Sequence, residues 1–252
     1  MREYVDSLEL EDNENEHIIK NWEPLEFDID EKYEYVPKEK SFSLFSNILY
    51  YGIAFPILKI VTKLVYDLKI EGKENIRDLK GGAISVSNHV LFLDCAMVGL
   101  ACGTKRIYYS TLEDNFKIPF VRKLIKLLRA IPIPKKIENM KNFIKETEQL
   151  LKNKNVVHFY PEAALHPYCT KLRHFKNGAF EIAVRNEVPV VPMLFTFREP
   201  KGLRRIFKRK KDVTLKVLKP VKLSENSGSV KERTLKLKDT VYKEMEKIIW
   251  IL

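Results

Sequence analysis

The residues whose types and spacing could do chemistry lie in S-V-S-N-H-V-L-F-L-D, where His89 precedes Asp94 by five positions. The apolar residues before His89 predict a β-strand over Ala83–Ser87, and Asp94 begins a predicted helix. This spacing lets the carboxylate at the helix start turn back towards the imidazole at the strand end. Such a carboxylate fixes the ring tautomer, leaves the other nitrogen to accept a proton and stabilises the imidazolium.

The pair has no serine or cysteine nucleophile assigned to it. Cys95 follows Asp94 directly, but no base is spaced for it, so it is interpreted as a small buried residue. A His–Asp pair of this kind can deprotonate a hydroxyl of the substrate, which then attacks an acyl carbonyl. Asn88 can brace the turn. On spacing alone, a buried structural histidine with a helix-capping aspartate remains an alternative.

Apolar strands alternate with helical patterns after the first third of the chain, which predicts an α/β fold with a mixed sheet flanked by helices. A stretch of period two in residues 211–223 predicts a late strand, placed at an edge by Pro220. Residues 230–252 carry a helical apolar stripe. The other strands are predicted over Ala83–Ser87, Arg106–Ser110, Val156–Tyr160 and Val188–Phe197, and helices over Asp94–Ala101, Phe116–Leu128, Ile137–Leu151 and Asn177–Arg185.

Charge is divided unevenly along the chain. Residues 1–40 contain 14 acidic and 5 basic residues, a local charge of −9, whereas the remainder contains 20 acidic and 40 basic residues, a charge of +20. The basic part favours a polyanionic partner such as an anionic membrane, nucleic acid or a phosphorylated substrate. Residues 1–40 are interpreted as a loosely ordered acidic extension without the pattern of a secretory signal. The three cysteines lack metal-site spacing, so we expect no metal site and a reducing, cytosolic compartment.

Residues 41–67 are predicted to form amphipathic helices at a membrane interface. The run 41–58 has no charge but includes serines and Pro56, which should kink or restart the helix. Beyond it, Lys59 and Lys63 share one face with Thr62 and Tyr66, while aliphatic residues lie on the other. The pattern fits a core helix of the domain equally well, and a full span, which needs about 20 apolar residues, is less favoured.

Four ordered blocks between Leu68 and Met193 resemble the glycerolipid acyltransferases, the family of 1-acyl-glycerol-3-phosphate acyltransferases. They are the Asn-His and following Asp of residues 88–94, R-A-I-P-I-P-K-K, F-Y-P-E, and F-K-N-G-A-F-E-I-A-V-R-N-E-V-P-V-V-P-M. The resemblance implies that His89 is the general base on the acceptor hydroxyl and that Asp94 orients it. It also implies an acyltransferase domain over residues 68–252.

The same resemblance implies the substrates. The donor is a fatty acyl thioester, on coenzyme A or acyl carrier protein, and the acceptor is a lysophospholipid (lysophosphatidate-like) or related lipid. Together with the basic charge of the body and the apolar segment before it, this predicts a peripheral protein on the cytoplasmic face of an anionic membrane, with no bound cofactor.

The chain departs from the family pattern where that pattern holds the phosphate of the acceptor. In the second block, Arg129, Pro134 and Lys135 stand where the family has Gly, Asp and Arg. In the third, Glu162 matches, but residues 163–165 are Ala-Ala-Leu where the family has Gly-Thr-Arg. These departures bear on the identity of the acceptor more than on the reaction, because the His89–Asp94 pair is intact. At Lys135, lysine keeps the positive charge but lacks the bidentate fork with which arginine holds a phosphate.

The predicted substrate-binding residues are Asn88, Lys135, Glu162, Arg173 and Lys176. For the three cations, a solvated basic face is the alternative. His158, in mid-strand, is predicted to be a core histidine, and Tyr160 a packing residue.

Two other functions remain open on the sequence. The first is a lipid-binding homologue that has lost activity, because the phosphate-holding positions have changed. The second is a nucleic-acid-binding module, suggested by G-L-R-R-I-F-K-R-K-K at residues 202–211, which no recognised reader motif accompanies.

Overall fold

The computed structural model describes residues 27–30, 33–37, 40–118, 121–202, 205, 211–223 and 227–250. Their strands form a seven-stranded sheet in the order β1-β7-β6-β2-β5-β3-β4. The strands are β1 (Lys69–Glu71), β2 (Ala83–Ser87), β3 (Ile107–Leu112), β4 (Ala130–Ile133), β5 (Val156–Phe159), β6 (Val190–Arg198) and β7 (Asp212–Val217).

The sheet is mixed, since β6 and β7 pair antiparallel while the other neighbouring strands pair parallel. Every residue of β2 and of β5 is buried. The polar residues of these two strands, Ser85, Ser87 and His158, are buried as well, and they bond to one another.

Helices cover both faces of the sheet. They are α1 (Lys40–Asn47), α2 (Phe55–Tyr66), α3 (Glu74–Arg77), α4 (Asp94–Cys102), α5 (Val121–Leu127), α6 (Ile137–Lys152), α7 (Gly178–Arg185) and α8 (Val230–Trp250). One cluster of buried side chains joins α6, α7 and α8 to the sheet, and a second joins α4 and the N-terminal helices to it. The α/β prediction of a mixed sheet flanked by helices is therefore confirmed.

Three sequence predictions differ from the structure. The late strand is not at an edge, because β7 pairs with both β6 and β1 and Pro220 falls after it. The helix predicted over Phe116–Leu128 is divided into a 3₁₀ turn (Glu113–Lys117) and α5. Strands β1 and β4, of three and four residues, were not predicted.

Part of the acidic extension packs on the body. Ile29 and Tyr35 are 1% and 2% exposed and belong to the same buried cluster as Phe143 of α6. The prediction of loose order is therefore wrong for residues 27–30 and 33–37, because apolar and aromatic side chains among the acidic ones find a place on the core. Residues 1–26 lie outside the described residues, as does most of the basic run at 202–211.

The N-terminal helical segment exposes much of its apolar surface, and Lys59 and Lys63 are exposed as well. A π-helical stretch (Ile48–Ala54) joins α1 to α2, and Pro56 lies in the first turn of α2. Thr62 and Tyr66 are buried, whereas Ile57, Ile60 and Leu64 are more than half exposed. A core helix has the opposite arrangement, so the core-helix alternative does not hold.

By length and composition alone, Ser41–Tyr66 could also cross a membrane. It is 26 residues long, and 11% of its apolar window is buried in the protein.

Close contacts fasten this helical segment to the body. The hydroxyls of Tyr50 and Tyr109 lie 2.9 Å apart, and both pass so near Gly99 that a Cβ there would lie 2.5 Å or less from each. The guanidinium of Arg129 lies 4.3 Å from the ring centroid of Tyr50 and donates to Asn47 Oδ1 at 2.7 Å. The segment and the sheet are thus held in one fixed orientation.

Candidate active site

His89 and Asp94 meet at the carboxyl end of β2. His89 Nδ1 lies 2.6 Å from Asp94 Oδ2, and the backbone N–H groups of Val90 and Leu91 donate to the same oxygen at 3.2 and 3.4 Å. The side chain of Asp94 is 1% exposed and that of His89 is 24% exposed. The turn therefore buries the carboxylate beneath the imidazole and leaves the imidazole accessible, as a base acting on a bound molecule requires.

Tyr160 completes the surroundings of this pair. Its hydroxyl donates to Asp94 Oδ1 at 2.7 Å, and its ring stacks on His89 with centroids 4.0 Å apart and planes 18° apart. The sequence prediction of a packing residue missed the hydroxyl. The available signal was the position of a tyrosine directly before Pro161 and Glu162, at the end of a strand that a parallel sheet could place beside β2.

Glu162 ties the loop after β5 to the same turn. Its two carboxylate oxygens accept hydrogen bonds from the backbone N–H groups of His89 at 3.3 Å and Arg173 at 3.1 Å. Burial raises the pKa of this carboxyl, and the two N–H groups partly offset that effect. In this arrangement Glu162 positions the backbone around His89, whereas the sequence prediction placed it on the substrate.

Asn88 also has a bracing role in the structure. Its amide donates to Phe195 O at 3.1 Å and accepts from Phe195 N at 2.8 Å, which joins the end of β2 to β6. Both the oxygen and the nitrogen of the amide are thus engaged with the backbone of a neighbouring strand. The side chain is 3% exposed and turned into the sheet, whereas the sequence predicts that it contacts a substrate.

His158 is a core histidine, as its mid-strand position predicted. It is fully buried, with its ring nitrogens 2.9 Å from the hydroxyl of Ser85 and 3.3 Å from that of Ser87. Burial, with a smaller contribution from His89, lowers its pKa to about 3. It is therefore neutral at physiological pH.

Lys135 follows β4 at the same edge of the sheet. Its ammonium lies 2.7 Å from Asp114 Oδ2, and its backbone N–H donates to Glu113 Oε2 at 2.9 Å. Strand β4 is three positions from β2, which corresponds to about 14 Å at the usual strand spacing. The structure thus does not place Lys135 in the immediate group around His89.

Arg173 and Lys176 lie on the loop that Glu162 holds, and both are half-buried. Their backbone N–H groups donate to Glu162 and to Pro161 O, the latter at 2.8 Å. The loop also runs beside the turn from His89 to Asp94, since His166 N donates to His89 O at 2.9 Å. Two of the three predicted cations are therefore brought close to the turn by the backbone.

Two positions where the family pattern has glycine keep a glycine-like backbone. Arg129 has φ of 69° and Ala163 has φ of 60°, in the left-handed region that side chains disfavour. The chain has therefore changed the side chains at these positions while retaining the local backbone conformation.

Comparisons with known proteins agree with this architecture. The family model described as Acyltransferase matches residues 67–196. The chain is 31% identical over 129 residues to a chloroplastic 1-acyl-sn-glycerol-3-phosphate acyltransferase of Arabidopsis thaliana. The aligned region covers 51% of this chain and 35% of that protein. A 1-acyl-sn-glycerol-3-phosphate acyltransferase of Saccharomyces cerevisiae is 28% identical over 149 residues, 56% of this chain and 46% of the relative. These matches span less than half the length of either relative.

A solved structure shares the fold. The 1-acyl-sn-glycerophosphate acyltransferase PlsC of Thermotoga maritima superposes with a TM-score of 0.52 at 21% sequence identity, over 82% of this chain and 92% of that one. Since the family model covers half of the sequence, the chain belongs to the acyltransferase family, as its resemblance to glycerolipid acyltransferases predicted.

Proposed function

We propose that the protein transfers a fatty acyl group from an acyl thioester to the hydroxyl of a lysophosphatidate-like lipid. The observation that carries the proposal is the contact between the accessible imidazole of His89 and the buried carboxylate of Asp94, 2.6 Å apart. The similarity to 1-acyl-sn-glycerol-3-phosphate acyltransferases supports the choice of acceptor. The altered phosphate-holding positions broaden it to related lipids.

The proposed reaction uses His89 as the general base. With Nδ1–H donated to Asp94, Nε2 accepts the proton of the acceptor hydroxyl as that oxygen attacks the thioester carbonyl. The tetrahedral intermediate collapses, the carbon–sulfur bond breaks, and the imidazolium returns the proton to the leaving thiolate. The backbone N–H groups of residues 89–91 already donate to Glu162 and Asp94, so other donors must meet the oxyanion.

We propose that the carrier of the acyl group is coenzyme A or acyl carrier protein. No resident cofactor is required by the proton transfer described above. The basic charge of residues 41–252 is compatible with either carrier, because both present phosphate groups.

The test is an acceptor screen with radiolabelled acyl-coenzyme A and acyl-acyl carrier protein against lysophosphatidate, other lysophospholipids and glycolipids. We expect incorporation into at least one lysolipid, and a loss of more than a hundredfold in His89→Ala. The matched control is Asp239→Ala, which removes an exposed ionisable side chain of α8. Equal incorporation by His89→Ala would overturn the assignment of the base, and binding of lysolipids without turnover would favour the inactive homologue.

The exposed apolar face of the N-terminal segment supports peripheral membrane association, which we place on the cytoplasmic face. Ile57 and Leu64 are 53% and 67% exposed on that face. Ile57→Glu with Leu64→Glu should release the protein from anionic vesicles in a sedimentation assay, because both charges would enter the apolar layer. Leu235→Glu, on α8, is the control; unchanged sedimentation of the double variant would contradict the membrane assignment.

A further inference from the structure

Tyr160 contacts both members of the proposed catalytic pair. Its hydroxyl donates to Asp94 and its ring lies against His89. We propose that Tyr160 is a positioning residue, which orients Asp94 through its hydroxyl, supports the imidazole through its ring and thereby sets the basicity of His89. This inference rests on the proposed function and gives Tyr160 a role beyond the packing that the sequence predicts for it.

The hydroxyl of Tyr160 donates to the one carboxylate oxygen of Asp94 that accepts no hydrogen bond from the turn. Asp94 Oδ2 accepts from His89, Val90 and Leu91, while Oδ1 faces Tyr160 at 2.7 Å. Among the described residues, Tyr160 is the donor to Oδ1. Without this bond the carboxylate would keep its position along one oxygen only and could rotate about that contact.

The ring of Tyr160 contacts a second ring besides that of His89. The ring of His158 lies 4.7 Å away at 85°, while the His89 ring lies 4.0 Å away and nearly parallel. His158 is held in turn by the hydroxyls of Ser85 and Ser87, on the strand that pairs with β5. Side chains of two adjacent strands therefore support the ring that stacks on the accessible imidazole.

The charge state of the hydroxyl suits this role. Burial, together with the neighbouring Asp94, raises the pKa of Tyr160 well above its usual value, so the hydroxyl remains a donor. The titratable groups around the pair and around Tyr160 are Asp94 and Cys95 at the start of α4, Tyr109 on β3, His158 on β5, and Glu162 with Arg173 on the following loop.

Removing the hydroxyl should change the interaction between Asp94 and the imidazole of His89 in a definite direction. A donor on Oδ1 draws negative charge away from the carboxylate, and its loss concentrates that charge on the oxygen that faces the imidazole. The protonated imidazole is then stabilised, so His89 needs a higher pH to become the free base. A residue that only filled space would not change this balance.

The experiment compares Tyr160→Phe, which keeps the ring, with Thr147→Val, which removes another buried hydroxyl, one that donates to Phe143 O within α6. For Tyr160→Phe we expect kcat/KM to fall about tenfold, and the acidic limb of its pH profile to move up by about half a pH unit. Tyr160→Leu, which also removes the stacked ring, should lose more activity. Thr147→Val should leave the limb unchanged.

A second measurement does not depend on turnover. In an NMR titration of the His89 imidazole, identified with His89→Gln, we expect the midpoint in Tyr160→Phe to move to higher pH. An unchanged midpoint and an unchanged limb would overturn the inference even in an active enzyme. A shifted midpoint in a protein that acylates no acceptor would retain the positioning role and reject the proposed function.

Discussion

The two sides of the candidate site are built differently. On the side of the His–Asp pair, Asp94 and Glu162 are buried, and every carboxylate oxygen has a donor on a neighbouring strand or turn. On the side of the predicted phosphate contacts, Lys135 is 57% exposed and pairs with Asp114. One side is fixed by packing and the other is held by a surface ion pair, which contributes little stability.

This difference indicates that the residues proposed for the reaction and those predicted to bind the acceptor are constrained to different degrees. Buried, mutually bonded groups leave little freedom for substitution, so the geometry of the proposed proton transfer is strongly specified. Exposed cations can be exchanged or displaced without disturbing the fold, which is consistent with the departures of this chain at those positions. We therefore expect substitutions on the buried side to act on turnover and those on the exposed side to act on binding.

The largest effect is expected from Asp94→Asn. An amide cannot stabilise the imidazolium and favours the wrong tautomer of His89, so kcat should fall by a hundredfold or more with little change in KM. Steady-state kinetics against Asp239→Asn, an exposed carboxylate on α8, measures the loss. A KM effect alone would place Asp94 in binding and remove the contrast between the two sides.

The pH dependence of the unfolding free energy tests whether the buried side of the site holds His158 neutral. The pKa of His158 is about 3 in the fold, against 6.5 in the unfolded chain, so the unfolded state binds more protons between these values. Stability should fall as pH falls through this window, by about 2 kcal/mol between pH 6.5 and 4.5 from this group. His158→Gln, which does not titrate, should flatten the pH dependence of urea unfolding by that amount.

The control for acid stability is His174→Gln, which removes an exposed imidazole. It should leave the pH dependence of the unfolding free energy close to that of the unmodified protein. If His158→Gln also followed the unmodified protein, His158 would not be held neutral by burial.

A smaller effect is expected on the exposed side. If Lys135 contacts the phosphate of the acceptor, Lys135→Ala should raise KM about three- to tenfold and leave kcat nearly unchanged. Asp114→Asn is the matched variant, because it frees the ammonium from its 2.7 Å ion pair and should lower KM. If both variants kept the KM of the unmodified protein, Lys135 would belong to a solvated basic face.

The smallest effect is expected from Ala163→Gly, at the beginning of the loop that Glu162 holds. Glycine relieves a φ of 60°, which costs a side chain about 1 kcal/mol, but it also adds freedom to the unfolded chain. The net gain in the free energy of unfolding should be about 0.5 kcal/mol. Ala164→Gly, where φ is not positive, should instead be destabilising in the same urea titration.

The sequence predicted the parts that depend on local pattern. The exact limits of β2, the alternation of strands and helices, and the turn from His89 to Asp94 follow from apolar periodicity and from the spacing of two residues. The inward-facing Thr62 and Tyr66 could not be read from periodicity, because a pattern gives the two faces of a helix but not which one meets the protein.

The other parts depend on which strands become neighbours. Tyr160 reaches Asp94 because β5 pairs with β2, and Asn88 reaches Phe195 because β6 lies on the other side. Neither adjacency is encoded within a short window of sequence. Strand β4, with four residues and Pro132, gave too weak a signal to be recognised without its partner β3.

The attachment of the N-terminal helical segment has a consequence for how substrate is found. Contacts of Tyr50 and Arg129 fix the apolar segment to the body, so a segment embedded in lipid would hold the site at constant height and tilt. The proposed lysolipid acceptor, already lying in that leaflet, would then arrive by lateral diffusion in two dimensions. The search for this substrate would be confined to a plane, while the proposed thioester would still come from the water above it.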